Sequence, residues 1–251
     1  MDPLRPQQST QTGWNLGRYQ RSAEEHSEEP AQDGYSPGQS GGDELSDEEE
    51  QAEGGRHEQE ILGEYGPWSG GRGLLEECAR RLVHTMQRQD LHYRFEGLDT
   101  ERPLASSCPN GMVYFSRGLL QHLSLEQVCY FGAHEIAHTE LRHYASRRRR
   151  LGDLQQALPA QPGSALRMRV DQAAVLAVRH QEEFEADYQA ALWLDFPLAV
   201  QSLARLEELC RQFSPEMLTV PSHPTFASRI KRVSQRLGAP EMVAYCYSLL
   251  N

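Results

Sequence analysis

The stretch GAHEIAHTELRH, Gly132 to His143, carries three histidines and two glutamates in twelve residues. Positions four apart on a helix lie one above the other, so His134 and His138 project from the same side. Glu135 sits one step round, beside them. Two imidazoles so placed can grip one zinc ion while a neighbouring carboxylate reaches the water on it. Gly132, Ala133, Ile136 and Ala137 keep the surroundings small or apolar, as a buried site requires.

Two histidines do not complete such a site. A third protein ligand is needed, leaving one position for water. One source is a histidine six residues after the second, with a glycine between. Leu141 and Tyr144 occupy those positions, which excludes it, and His143 falls one residue short of a ligand's place. The other source is a carboxylate on a later helix, and EEFEAD, residues 182–187, offers several. Glu183 and Asp187 are four apart and share a face. Glu183 can bind the ion while Asp187 accepts a hydrogen bond from the free ring nitrogen of a ligating histidine, fixing its tautomer. With Glu183 inward, Glu182 and Glu185 are expected on a solvated face.

The elements that must position these groups can be read from pattern. Leu75, Cys78, Leu82 and Met86 recur at helical spacing, predicting a helix over about 73–89. LHYRFEGL alternates and reads as a strand, PLASSCP as a weaker one, and GMVYFSRG as a stronger one. GLLQHL is a short helix. Ser124 and Gln127 form a capping box that starts the next helix, expected to run from Leu125 to about Arg147 and to carry the opening motif. LGDLQQALPAQPGS reads as a loop or a broken helix. A long helix resumes near Ala165, another follows from Pro197, and a last one starts near Thr225. The strand GMVYFSRG is expected at the upper rim of a cleft, where Met112, Val113 and Tyr114 would bind substrate through a free strand edge.

Only 38% of residues are hydrophobic, and the shortfall is uneven. Residues 1–70 hold 16 Asp/Glu against 4 Arg, while residues 71–251 are close to neutral. The first 70 residues, including SPGQSGGDELSDEEEQAEGG, are too polar to offset ordering entropy and read as a disordered acidic segment. Trp14, Tyr19, Tyr35, Tyr65 and Trp68 stand isolated in it. Residues 71–251 read as one domain. No run of about 18 apolar residues exists, so no transmembrane segment is expected. The first 30 residues lack the apolar core of a secretory signal, so the expected location is cytoplasmic, or outside by a route without a classical signal peptide. Five scattered cysteines suit a reduced compartment. The run Arg147–Arg150 reads as a solvated helix end, and no nucleic-acid partner is expected. The acidic run DELSDEEE, residues 43–50, could instead fold back onto these arginines and cover the cleft, or meet a regulatory partner.

Three segments in order complete a wider pattern: PNGMVYFSRGLLQHLSLEQVCYFGAHEIAHTELRH, RHQEEFEAD and SHPTFASRIKRV. Together they resemble the gluzincin metallopeptidases of the HtpX and CAAX-prenyl-endopeptidase type, over about residues 72–238. The resemblance implies an α+β, zincin-like domain, mostly helical, with a small sheet above the zinc-binding helix. It implies one Zn2+ per chain on His134, His138 and Glu183, with Glu183 rather than Glu182 or Glu185 as the third ligand. It makes Glu135 the general base, His223 a stabiliser of the oxyanion, and Arg229 a structural or substrate-orienting residue. The expected activity is that of a soluble zinc-dependent endopeptidase acting on a protein or peptide. Two alternatives stand beside it: a latent protease inhibited by its own N-terminal segment, and a metal-bearing scaffold that binds a protein without cleaving it. Glu135 argues against the scaffold, which has no use for a base.

Overall fold

A computed structural model describes residues 45–157 and 165–237. The expectations for residues 1–44, including Trp14, Tyr19 and Tyr35, lie outside the described residues, as does the second half of the loop assigned to 151–164.

The first described helix is α1, Asp47–Tyr65, followed by β1, Pro67–Trp68, and α2, Arg72–Leu82. Leu75, Cys78 and Leu82 form the buried stripe of α2, and a short 3-10 turn, Val83–Thr85, ends it. Three further strands follow: β2, Arg94–Leu98; β3, Ala105–Ser107; β4, Met112–Ser116. The sheet order is β1-β2-β4-β3, with β2 and β4 parallel and both outer pairs antiparallel. Val113 and Phe115 point from β4 into the main core, and Met112 and Tyr114 into a second cluster on the opposite face. This is the period-2 alternation of a strand covered on both sides.

That covering corrects two expectations. β4 is an inner strand with no free edge, and Met112, Val113 and Tyr114 are fully buried, so they cannot meet a substrate. The outer strands are β1 and β3, and β3, the weaker strand of the sequence, has its edge beside the cavity. Disorder through residue 70 is also corrected from residue 45 onward. The capping box of Ser46 and Glu49 starts α1, and Ile61, Leu62 and Tyr65 pack on the outer face of the sheet. Trp68 joins the main core. Burying a side chain the size of Ile61 is worth about 2 kcal/mol, which a solvated tail cannot recover. Gly54 lets α1 approach the β3–β4 turn; a Cβ there would lie 2.5 Å from the Asn110 amide.

After β4 come α3, Arg117–Leu120, and α4, Leu125–Glu140, which starts on the expected capping box of Ser124 and Gln127. α4 is buried almost throughout and packs on α2, α6 and α7. It stops at Glu140 and does not run on to Arg147. Arg142 takes a left-handed conformation, φ 53°, and α5, His143–Ala157, begins after it. A non-glycine residue there costs about 1–2 kcal/mol; Arg142 gains ion pairs to Asp47 and Glu50 of α1 in return. α6, Ala165–Trp193, is the longest helix. α7, Phe196–Phe213, is capped by Asp195, whose carboxylate accepts from the Leu198 amide at 3.1 Å. A 3-10 turn, Pro215–Thr219, leads to α8, Phe226–Arg236, capped by Thr225. The domain is thus mostly helical with a small mixed sheet, an α+β architecture. Among the described residues no helix is long and apolar enough to cross a membrane. The four described cysteines are free and buried.

Candidate metal centre

α4 and α6 cross in the middle of the domain, and their facing surfaces carry His134, His138, Glu183 and Asp187. The Nε2 atoms of His134 and His138 are 3.1 Å apart. Glu183 places one carboxylate oxygen 3.6 Å from the first and the other 3.5 Å from the second. Donors about 2.1 Å from an ion at three corners of a tetrahedron lie about 3.4 Å from one another. Each imidazole thus has a Glu183 oxygen at about that separation, and one ligand atom from each of the three side chains lies within 4.8 Å of the others, close enough to share one cation; the donor set of two neutral nitrogens and one carboxylate suits a divalent transition ion. Among the described residues these three are the group able to hold a metal ion.

The supporting charges are buried and paired. Asp187 is fully buried and lies 3.0 Å from His134 Nδ1, leaving Nε2 for the ion. Arg229, from α8, donates to both Asp187 oxygens at 2.7 and 2.6 Å, and the Tyr130 hydroxyl donates to one of them at 3.0 Å. Burial opposes the charge on Asp187, but Arg229 and then His134 overcome it and hold the carboxyl at about 2. Glu183 is likewise held well below the usual carboxylate range: burial works against it, and Arg229, 3.3 Å away, and the two imidazoles prevail. Burial would lower the His134 imidazole, yet Asp187 and Glu183 raise it to about 10, so that without a metal a proton takes its place.

Glu135 lies on the same turn of α4. Burial pushes its carboxyl up, partly countered by His134 and by the Ser107 hydroxyl, which donates to it at 2.8 Å. Ser107 ends the edge strand β3, so the carboxylate faces the free edge. His223 sits in the loop before α8, with 53% of its side chain exposed and Nε2 3.9 Å from Glu183. Arg229 is buried against Asp187 and Glu183, which gives it a structural place and removes it from the substrate-binding set.

Two other expectations change. Glu182 is not on a solvated face: it is 1% exposed and receives a two-pronged bond from Arg147. Glu185 accepts from Arg150 at 3.0 Å and from Gln181 at 2.9 Å, and contacts His143. Arg147 and Arg150, three apart in the arginine run, thus clamp α5 to α6. Ser107 and Tyr130 were not marked by the sequence, since a serine in a weak strand and a tyrosine on the motif helix leave no signal of their role; His143, set aside as a ligand, touches His138 instead.

A cavity of about 610 Å³ opens over the centre, lined by Glu135, His138, Glu183 and His223 on one side and by Glu53 and His57 of α1 on another. One helix thus presents two histidines and a carboxylate beside the β3 edge, and a second helix brings the carboxylate that completes a group able to hold a metal ion, as a metallopeptidase requires. The model of peptidase family M48 matches residues 72–237, and the chain belongs to that family. No curated protein matches the chain. The match begins after α1, which packs on the domain from outside the family region.

Proposed function

We propose that the protein is a zinc-dependent endopeptidase, with His134, His138 and Glu183 holding one Zn2+ per chain. The observation that carries this reading is the convergence of those three donors around one point with Glu135 and the β3 edge beside it. Zinc bound there would polarise a scissile carbonyl and bring the pKa of a water toward neutrality. The chain's own groups do the rest. The main chain of an extended peptide pairs with the free edge of β3 and lies across the cleft. Glu135, oriented by Ser107, takes the proton of the attacking water and returns it to the leaving amine. His223, at the open rim, donates to the oxyanion.

The test is Glu135→Gln, which keeps the shape and removes the base. The variant is expected to retain about one zinc per chain and to lose at least about 10²-fold in kcat on a protein substrate. Hydrolysis at the parent rate would overturn the assignment.

A second reading is favoured by the position of α1. Its Glu53 and His57 line the same cavity, and Asp47 and Glu53 tie it to Arg142 and Tyr144, both at 2.7 Å. In this reading the N-terminal half of α1 is a gate that keeps the peptidase latent. Neutralising both ties (D47N with E53Q) then raises kcat/KM on a long peptide, and raising salt from about 0.05 to about 0.5 M does the same to the parent by screening. Unchanged kcat/KM in both experiments rejects the gate and leaves a constitutive enzyme.

A further inference from the structure

The two imidazoles that face the ion are held in different ways. His134 meets a carboxylate directly at Asp187. His138 meets a third imidazole: its Nδ1 lies 2.9 Å from Nδ1 of His143, and His143 Nε2 lies 3.0 Å from Glu185 Oε2. The proton positions along this chain follow from the chemistry at its ends. A ligating Nε2 must be bare, so His138 carries its proton on Nδ1 and donates it. His143 then accepts at Nδ1 and carries its own proton on Nε2. Glu185, an acceptor only, receives it. Arg150 and Gln181 donate to the same carboxylate and fix its orientation.

The backbone is shaped for this contact. Residues five apart on an unbroken helix point about 140° away from one another. The break at Leu141 and Arg142 turns α5 so that the His143 ring, 1% exposed, comes back to His138 with the two ring planes at 76°. A histidine that served only to fill the core would not need both of its nitrogens aligned between a ligand and an oriented carboxylate.

We propose that His143 and Glu185 are positioning residues for the metal: they set the tautomer and the direction of His138. This inference rests on the zinc reading above and predicts an effect on metal affinity, not only on turnover. The measurement is the zinc dissociation constant by chelator competition, with the visible spectrum of the Co2+-loaded protein and the melting temperature of the metal-free protein alongside. His143→Phe is expected to weaken zinc about 10–100-fold and to shift the cobalt spectrum. His143→Asn, which keeps an acceptor within reach of His138, recovers most of that loss. Glu182→Gln is the control, because Glu182 and Arg147 tie the same two helices without touching a ligand. It lowers the melting temperature and leaves zinc affinity within about twofold of the parent, on the ordinary scale of a lost helix clamp away from the ligands. The relay is overturned if His143→Phe binds zinc as the parent does, or if Glu182→Gln weakens zinc equally. A parent chain that binds no stoichiometric ion overturns the zinc reading itself, and the relay falls with it.

Discussion

The two walls of the cleft expose their ion pairs to different degrees. On the side of α6 and α8, Asp187 and Arg229 are shut away from water with Glu183 at the cavity wall beside them, and each oxygen of Asp187 is bonded. On the side of α1, Asp47 and Arg142 meet with 55% and 38% of their side chains exposed. A buried charge that loses its partner is left in a poor solvent, whereas an exposed one is rehydrated. The metal-facing wall is fixed from within. The α1 wall is anchored by its apolar C-terminal half and by the buried Glu50, paired with Arg88 at 2.8 Å, and only its outer ties, Asp47 to Arg142 and Glu53 to Tyr144, lie toward water.

The strongest way to break this comparison is Arg229→Met. It leaves Asp187 and Glu183 with only the protonated His134 to balance them, and the expected loss in unfolding free energy of the metal-free protein is about 3 kcal/mol by urea denaturation. A loss below about 1 kcal/mol would place these charges on the same footing as surface pairs.

Acid sharpens it next. Asp187 is held at about 2 in the fold, against about 3.9 in an unfolded chain. A depressed carboxyl stabilises fully above the unfolded value, and that contribution is lost as pH falls through the folded value. The metal-free protein is therefore expected to lose stability steadily from about pH 4 to about pH 2. Asp187→Asn, less stable at neutral pH, shows a flatter decline over that window. Parallel declines in the two proteins would show that Asp187 carries no such linkage.

The smallest effect belongs to α1. The D47N/E53Q double variant is expected to change unfolding free energy by about 1 kcal/mol or less, even where it changes kcat/KM. A larger loss would mean that the N-terminal half of α1 belongs to the rigid core.

The sequence disclosed these two regions unequally. His134, His138 and Glu135 could be read from a spacing, because helical period alone places them. The third donor could not: EEFEAD offers four carboxylates, and only the resemblance singled out Glu183. Glu182 and Glu185 were misread because their partners, Arg147, Arg150 and His143, sit 35 to 42 residues away on α5, a helix set in direction by the break before it. That break left no trace in LRHYAS, which has neither glycine nor proline, since Arg142 accepts a positive φ on the strength of ion pairs from α1. The inner strand was placed at the edge because PLASSCP gave only a weak strand signal, although short and polar is how an edge strand often reads. α1 was lost in the composition of its surroundings. Its signals were present all the same, in the capping box of Ser46 and Glu49 and in the apolar end formed by Ile61, Leu62 and Tyr65.

Whether three side chains from two helices share one ion can be seen by anomalous scattering from a crystal of the zinc-loaded protein, collected on both sides of the zinc absorption edge. A single edge-dependent peak is expected about 2.1 Å from the Nε2 atoms of His134 and His138 and from a Glu183 oxygen, with one side open to the cleft. A peak bound elsewhere, or a Glu183 carboxylate turned away from it, would overturn the shared site.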